Sequence, residues 1–343
     1  MNTNWTQLII SLTIIGGIFA IFFFVVFKGG NIDHVEFWTI LMWLLLLLLI
    51  FLNLRPHWSV AKKYRRFYEM FLRNADDALQ ERLFGTKDLD KIEEKYRPFS
   101  RLIGGIVHGR VSGGNSVEVI TDGARKYEAL MQDLENARES IHIEYFHFGI
   151  DRGSRDVRDM LIKKAREGVK VKFINENVAN FPIIHRYYRS MKSAGVEVIR
   201  FTGVKNFIMD FLAKLNYRNH RKIVVIDGRI GYTGGMNIND HYFKKWRDTH
   251  LRIVGESVAT LQFIFLNSWV TSGGKLDETH LMDFFPKTGS SDAAATPMNA
   301  PDKCTRTVSD GGVQASDTAV RVSTDSEQPA TDSKLVQIVS DEP

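Results

Sequence analysis

The sequence predicts an α/β protein, a sheet covered on both faces by helices, preceded by a two-helix transmembrane hairpin and followed by a disordered tail. Three observations carry this. Residues 1–54 are nearly all apolar, whereas the rest of the chain is charged. From about residue 106, strand-like and helix-like periodicities alternate, the order of an α/β layer structure. After Pro286 the composition shifts to Ser, Thr, Ala, Asp and Pro, which buries too little apolar surface to offset the entropy of ordering.

The hairpin rests on two uncharged runs, Leu8 to Phe27 (20 residues) and Phe37 to Leu54 (18 residues). An apolar helix needs roughly 17–25 residues to cross a bilayer. A cleaved signal peptide fits the first run poorly: no Lys or Arg precedes it, and a second run follows directly. The loop between the runs sets Lys28 against Asp33 and Glu36, while Arg55, Lys62, Lys63, Arg65 and Arg66 follow the second run. Positive flanks stay in the cytoplasm, so the expected protein is multi-pass in the inner (plasma) membrane with its folded part cytoplasmic. Trp38, Trp43 and Trp58 lie near the ends of the second run, as interfacial anchors do. The net charge of +5 suits an anionic surface. The basic cluster with Tyr64, Phe67 and Tyr68 reads equally as a lipid-headgroup contact or a topogenic signal. The single cysteine, Cys304, excludes a disulfide or a Cys-based metal site within the chain.

Residues 55–105 read as a charged, helical juxtamembrane connector, punctuated by Pro98 and Gly104–Gly105. In the domain expected at 106–286, Val117 to Thr121 is a short strand. Tyr127, Leu130, Met131 and Leu134 recur at helical spacing, and Ser140 to Phe148 alternates as a strand. A helix follows around Val157 to Ala165, then a strand at Val169 to Phe173, a helix at Ile183 to Ala194, and a strand at Val196 to Phe201. Residues 287–333 read as a disordered low-complexity linker.

The chemistry concentrates in residues 219–240, NHRKIVVIDGRIGYTGGMNIND. Ile223 to Ile226 is a buried strand with His220 and Lys222 at its start, two apart and therefore on one face. Asp227 ends it, Gly228 turns, Ile230 to Thr233 begins a partner strand, and Gly234-Gly235-Met236-Asn237 forms a loop. A phosphodiester resists nucleophiles because it is an anion. Cleaving it takes a nucleophile, a cation on the non-bridging oxygens and a proton donor for the leaving alcohol. A neutral imidazole supplies the nucleophile. An ammonium on the same face, an Asn amide and the N–H groups of a Gly-Gly loop hold the phosphate. An H-x-K pair by itself is commonplace; the complete pattern of H-x-K, four residues, Asp, six residues and G-G-x-N is not.

That pattern resembles the HKD motif of the phospholipase D superfamily, H-x-K-x4-D-x6-G-[GS]-x-N, at every defining position. The two spans, TDGARKYEALMQDLENARESIHIEYF at 121–146 and WRDTHLRIVGESVATLQFIFLNSW at 246–269 are similar to bacterial cardiolipin synthases. The resemblance covers roughly residues 1–285. It implies a phospholipase D-like mixed sheet and a membrane phosphatidyltransferase. Such an enzyme makes cardiolipin from two phosphatidylglycerol molecules through a phosphatidyl-histidine intermediate, with no cofactor, no metal and no nucleic-acid partner. The catalytic set so implied is His220, as nucleophile or its general-acid counterpart, Lys222 and Asp227, the last acting on geometry more than on chemistry. Asn237 and Gly235 would support phosphate binding, and Asp248 would hydrogen-bond His220, although an ion pair with Arg247 is the plainer role. Glu144 lies near the pocket or is a satisfied strand-end carboxylate. His142 and His147 do not read as a metal pair, and His241, His250, Tyr187 and Tyr188 read as structural or surface residues.

The family pattern is departed from twice. Asn175-Glu176-Asn177 stands where an acidic turn is usual. Only one HKD motif is present, whereas the family pairs two, one histidine attacking while the other protonates the leaving group. KLVQIVSDEP at 334–343 resembles the opening of the second half, which is expected to be missing. The readings that follow are a truncated chain, or one whose second motif comes from another copy. The competing functions are a dimeric single-motif phosphodiesterase, lipid hydrolase or nuclease, and an inactive membrane protein.

Overall fold

A computed structural model describes residues 35–85, 91–107, 111–176, 179–180, 185–201, 218–286, 318–323 and 334–340. Helix α1 (Val35–Asn74) takes in the apolar run 37–54 and continues into the basic segment. Run 8–27 lies outside the described residues, as do most side chains of run 37–54. Among the residues described in full, no helix is long and apolar enough to cross a membrane.

The chain divides into two compact units: residues 1–59 with 206–214, and residues 60–205 with 215–343. The second unit holds the sheet. Its elements are α2 (Asp77–Phe84), α3 (Arg97–Val107), β1 (Val111–Ile120), α4 (Gly123–Asn136), β2 (Ser140–Tyr145), α5 (Arg152–Arg166), β3 (Lys170–Glu176), α6 (His185–Ser193) and β4 (Glu197–Phe201). They are followed by β5 (Lys222–Ile226), β6 (Ile230–Gly234), α7 (Asp240–Lys244), β7 (His250–Val254), α8 (Val258–Thr271), β8 (Thr318–Ser323) and β9 (Lys334–Ser340). The sheet order is β4-β3-β2-β5-β6-β7-β1-β9-β8. β2, β3 and β4 are parallel, joined through α5 and α6, whereas β2-β5-β6-β7-β1 are antiparallel neighbours. The alternating sequence pattern predicted an α/β sheet, and the sheet is mixed, as the resemblance implied. Strand β8 is a correction: it lies inside the stretch 287–333 expected to be disordered. Its sequence, TAVRVS, is a six-residue strand signal diluted by polar surroundings.

Helices cover both faces. On one, the wholly apolar stretches of α8 pack with Phe67 and Phe71 of α1 and Leu79 and Leu83 of α2 against Ile223, Val225, Leu251 and Ile253. On the other, Ala129, Leu130 and Leu134 of α4 and Val157 and Leu161 of α5 pack against Ile141, Ile143, Phe173, Val224 and Tyr232. The second face carries the candidate site at one end of its strands.

Candidate active site

Strand register builds the site. Tyr145 of β2 lies opposite Lys222 of β5, and Gly234 of β6 lies opposite His250 of β7. The pairing of Ile223 with Thr233 carries Lys222 to Gly234 one step further along. One row therefore runs Tyr145, Lys222, Gly234, His250 across four strands, on the face covered by α4.

His220 is half-buried at the mouth of this row, its ring edge-on to Phe146 at 4.5 Å. Lys222 is 1% exposed and donates from Nζ to the carbonyl of His220 at 2.6 Å, with its ammonium 5.4 Å from the Phe146 ring. Lys222 thus meets the backbone of His220, and both side chains border the Phe146 ring. Asn237 is buried, and its Oδ1 accepts from the backbone N–H of His147 at 3.1 Å.

The two glycines of the motif answer to close approach. At Gly234, whose φ is +148°, a Cβ would stand 2.5 Å from the Thr249 carbonyl. At Gly235 it would stand 2.1 Å from Asp248 Oδ1. Asp248 therefore lies directly against the second glycine of the Gly-Gly loop, with its Oδ1 also accepting from the N–H of Thr249 at 2.7 Å.

Asp227 is not brought to this cluster. It caps the opposite end of β5, roughly 16 Å along the strand from Lys222. There its carboxylate accepts from three successive N–H groups, Arg138 at 2.9 Å, Glu139 at 2.7 Å and Ser140 at 2.8 Å. Its φ of +52° is the left-handed turn conformation that Asp tolerates better than most residues. Asp227 locks the start of β2 onto the end of β5, and so holds Tyr145 in register with Lys222.

Two site residues were missed in the sequence. Lys126 of α4 is 0% exposed. Its ammonium donates to the carbonyls of Met236 at 2.8 Å and Asn237 at 3.3 Å, and sits 4.9 Å from the Tyr145 ring. Burial first, then the neighbouring Lys222, holds it well below the ordinary lysine range. A signal existed: Lys126 lies four residues before Leu130 and eight before Leu134, in phase with the buried stripe of α4. The second is His250, read as structural or surface, which is 0% exposed with neither ring nitrogen hydrogen-bonded. Burial first, then Lys126 and Lys222, holds its pKa well below the ordinary histidine range.

On the reverse face a second polar group pins the backbone around His220. The buried Glu144 accepts from Asn219 Nδ2, and Asn219 Oδ1 accepts from the N–H of Arg221 at 3.0 Å. Burial raises the Glu144 pKa, opposed by Arg221 and Asn219. Glu176 grips Arg218 through Nε at 2.7 Å and Nη2 at 3.1 Å, two residues before His220. His142 is a core residue, stacked on Phe265 at 4.8 Å and bonded through Nδ1 to Gln262. Tyr187 and Tyr188 pack edge-on beside α5 and β3.

A family model described as cardiolipin synthase, PLD-like domain, matches residues 130–269. Over these residues the chain is similar to the phospholipase D-like domain of cardiolipin synthases. Curated cardiolipin synthases from Alkalihalophilus pseudofirmus and a Geobacillus species are 38% identical over 210 residues and 40% identical over 191 residues. The matches cover 59% and 54% of this chain and 41% and 38% of those relatives, so the chain spans about two fifths of their length. Among solved structures, the chain is similar to the phospholipase D family member Nuc from Salmonella typhimurium, at 14% identity and a TM-score of 0.36, covering 46% of this chain and 95% of that one. The cardiolipin synthase-type match takes in His220, Lys222, Asp227, Gly235, Asn237, Asp248 and His250, and begins four residues after Lys126.

Proposed function

We propose that this chain supplies one catalytic half-site of a membrane phosphatidyltransferase that makes cardiolipin from two phosphatidylglycerol molecules. The observation that carries the reading is the placing of His220 beside a buried Lys222, with Asn237 and the Gly-Gly loop at the same end of the sheet. In this reading an imidazole nitrogen of His220 attacks phosphorus in the first phosphatidylglycerol. The bond from phosphorus to the terminal glycerol breaks, and glycerol leaves with a proton from a general acid. The phosphatidyl group remains on His220. The terminal hydroxyl of a second phosphatidylglycerol then attacks phosphorus, gives its proton to the same acid-base group, and displaces His220. Two phosphatidylglycerols become cardiolipin and glycerol. Lys222 and Asn237 carry the charge on the non-bridging oxygens. Asp248 orients His220, and Asp227 maintains the strand register beneath it.

The acid-base group is a second histidine, from a second motif-bearing half or from His220 of a second copy. Runs 8–27 and 37–54 serve as membrane spans that hold the site at the cytoplasmic face, where its lipid substrates diffuse.

Full chain reconstituted in phosphatidylglycerol vesicles, alone and with a second HKD half supplied, tests this. Cardiolipin formation is expected in at least one arrangement, and His220→Ala lowers it about a thousandfold or more. Equal cardiolipin from the His220→Ala chain overturns the mechanism.

A further inference from the structure

The structure places a second ammonium, Lys126, immediately behind the phosphate loop. Its stem runs in the buried stripe of α4, and its Nζ spans the carbonyls of Met236 and Asn237 at 2.8 and 3.3 Å. Those two peptides form the turn that leads Asn237 out of β6. The aromatic faces of Tyr145 and Phe243 flank the ammonium at 4.9 and 5.9 Å. Among the described residues no carboxylate lies within ion-pair distance of it, and Asp248, beyond Gly235, is the acid whose field reaches it.

A cation is a costly way to join two carbonyls in a dry core. An uncharged donor would hold the turn without desolvating a charge. The arrangement gains meaning when the occupant of the loop is an anion: its charge then offsets the buried ammonium.

We propose that Lys126 is a positioning residue that holds the Met236–Asn237 turn so that the Asn237 amide and the loop N–H groups meet a phosphate, and whose own charge is balanced by that phosphate. The proposal rests on the reading of this loop as a phosphate site. Lys126 acts through Asn237 and not by touching the anion. Two consequences follow. Removing Lys126 and removing the Asn237 side chain disable the same element, so their effects do not add. A substitution that keeps both donors and charge restores the function.

The test uses the full chain in detergent micelles, with inorganic phosphate as probe and binding followed by phosphorus NMR titration. The unsubstituted chain binds phosphate. Lys126→Met and Asn237→Ala each weaken binding about tenfold. The double variant is no weaker than the worse single one, and Lys126→Arg recovers most of the loss. Additive losses, or full binding in Lys126→Met, overturn the proposal while leaving the phosphate site intact. Absence of phosphate binding in the unsubstituted chain, or binding untouched by both Asn237→Ala and Lys222→Met, overturns the site itself and the proposal with it. Should Lys126→Met not fold, as judged by its melting transition, Lys126→Arg with and without Asn237→Ala closes the same cycle. Binding by Lys126→Arg as poor as that of its double variant then counts against the proposal.

Discussion

Helix α4 sends two charged side chains into the same face of the sheet, Lys126 and, two turns later, Asp133. Their surroundings differ in kind. Asp133 accepts a bidentate pair from Arg252, at 2.7 and 2.9 Å, and a further hydrogen bond from Tyr232. Both carboxylate oxygens of Asp133 are occupied, and the trio staples α4 to β6 and β7. Lys126 has carbonyls and aromatic faces around it, with the unbonded ring of His250 on the neighbouring row. Local satisfaction marks a structural group. A buried charge with no ion-pair partner among the described residues marks a place where a ligand completes the electrostatics.

This contrast makes an asymmetric prediction for stability, and it is the largest expected. Asp133→Ala leaves the partly buried Arg252 without its acid and costs about 3 kcal/mol. Lys126→Met gives up two hydrogen bonds but also relieves a desolvated cation, so it costs less than about 1 kcal/mol. Urea unfolding in micelles compares them. A Lys126→Met cost equal to that of Asp133→Ala would erase the distinction between the two groups. Phosphate titration runs the opposite way: Asp133→Ala, where it folds, binds as the unsubstituted chain does.

Asp227 extends the contrast along β5. It belongs to the motif by sequence and to the structural class by geometry, since its carboxylate is occupied by three backbone N–H groups at the end remote from His220. Asp227→Ala is expected to cost about 2 kcal/mol through those lost bonds and the strain of a positive φ. The fraction that stays folded should keep its phosphate affinity. Weakened binding per folded molecule would place Asp227 in the site.

Much of this was legible in the sequence, for physical reasons. The alternating run at Ser140 to Phe148, the continuous apolar run at Ile223 to Ile226 and the helical stripes at Leu130 to Leu134 and Val157 to Leu161 gave the order of elements, because strands buried on both faces read as apolar runs and helices buried on one face read as stripes. The spacing of His220 and Lys222 predicts that they share one face of a strand; the strand begins at Lys222, whose ammonium donates to the His220 carbonyl. Lys126 and His250 were not legible as site residues, because their importance depends on which strands become neighbours. Register alone puts His250 opposite Gly234 and Lys222 opposite Tyr145, across separations of 16 and 77 residues. Strand β8 was lost for the opposite reason, a brief β-branched signal within a polar composition.

The two buried histidines offer the finest form of the comparison. His142, bonded to Gln262 and stacked on Phe265, is depressed to about 3, first by burial. His250 is also depressed, first by burial and then by Lys126 and Lys222. For each, the folded pKa lies below the unfolded value near 6.5, so below that pH the unfolded chain takes up a proton that the folded chain refuses. Stability therefore falls as pH drops from about 6.5, for His142 down to about 3, with a slope of up to about 1.4 kcal/mol per pH unit per histidine. Glu144, raised by burial, acts with the opposite sign at acid pH and is common to all variants compared. His142→Gln and His250→Gln should each flatten the slope between pH 6.5 and 5 by up to about one proton. Saturating inorganic phosphate separates them. An anion in the loop offsets Lys126 and Lys222, lifts the His250 pKa toward its unfolded value, and shrinks the slope that His250→Gln removes. His142 stands on the other face, behind the sheet, and its share of the slope stays as it was. A phosphate effect equal for both histidines would mean that the charge around Lys126 is not the phosphate's to balance.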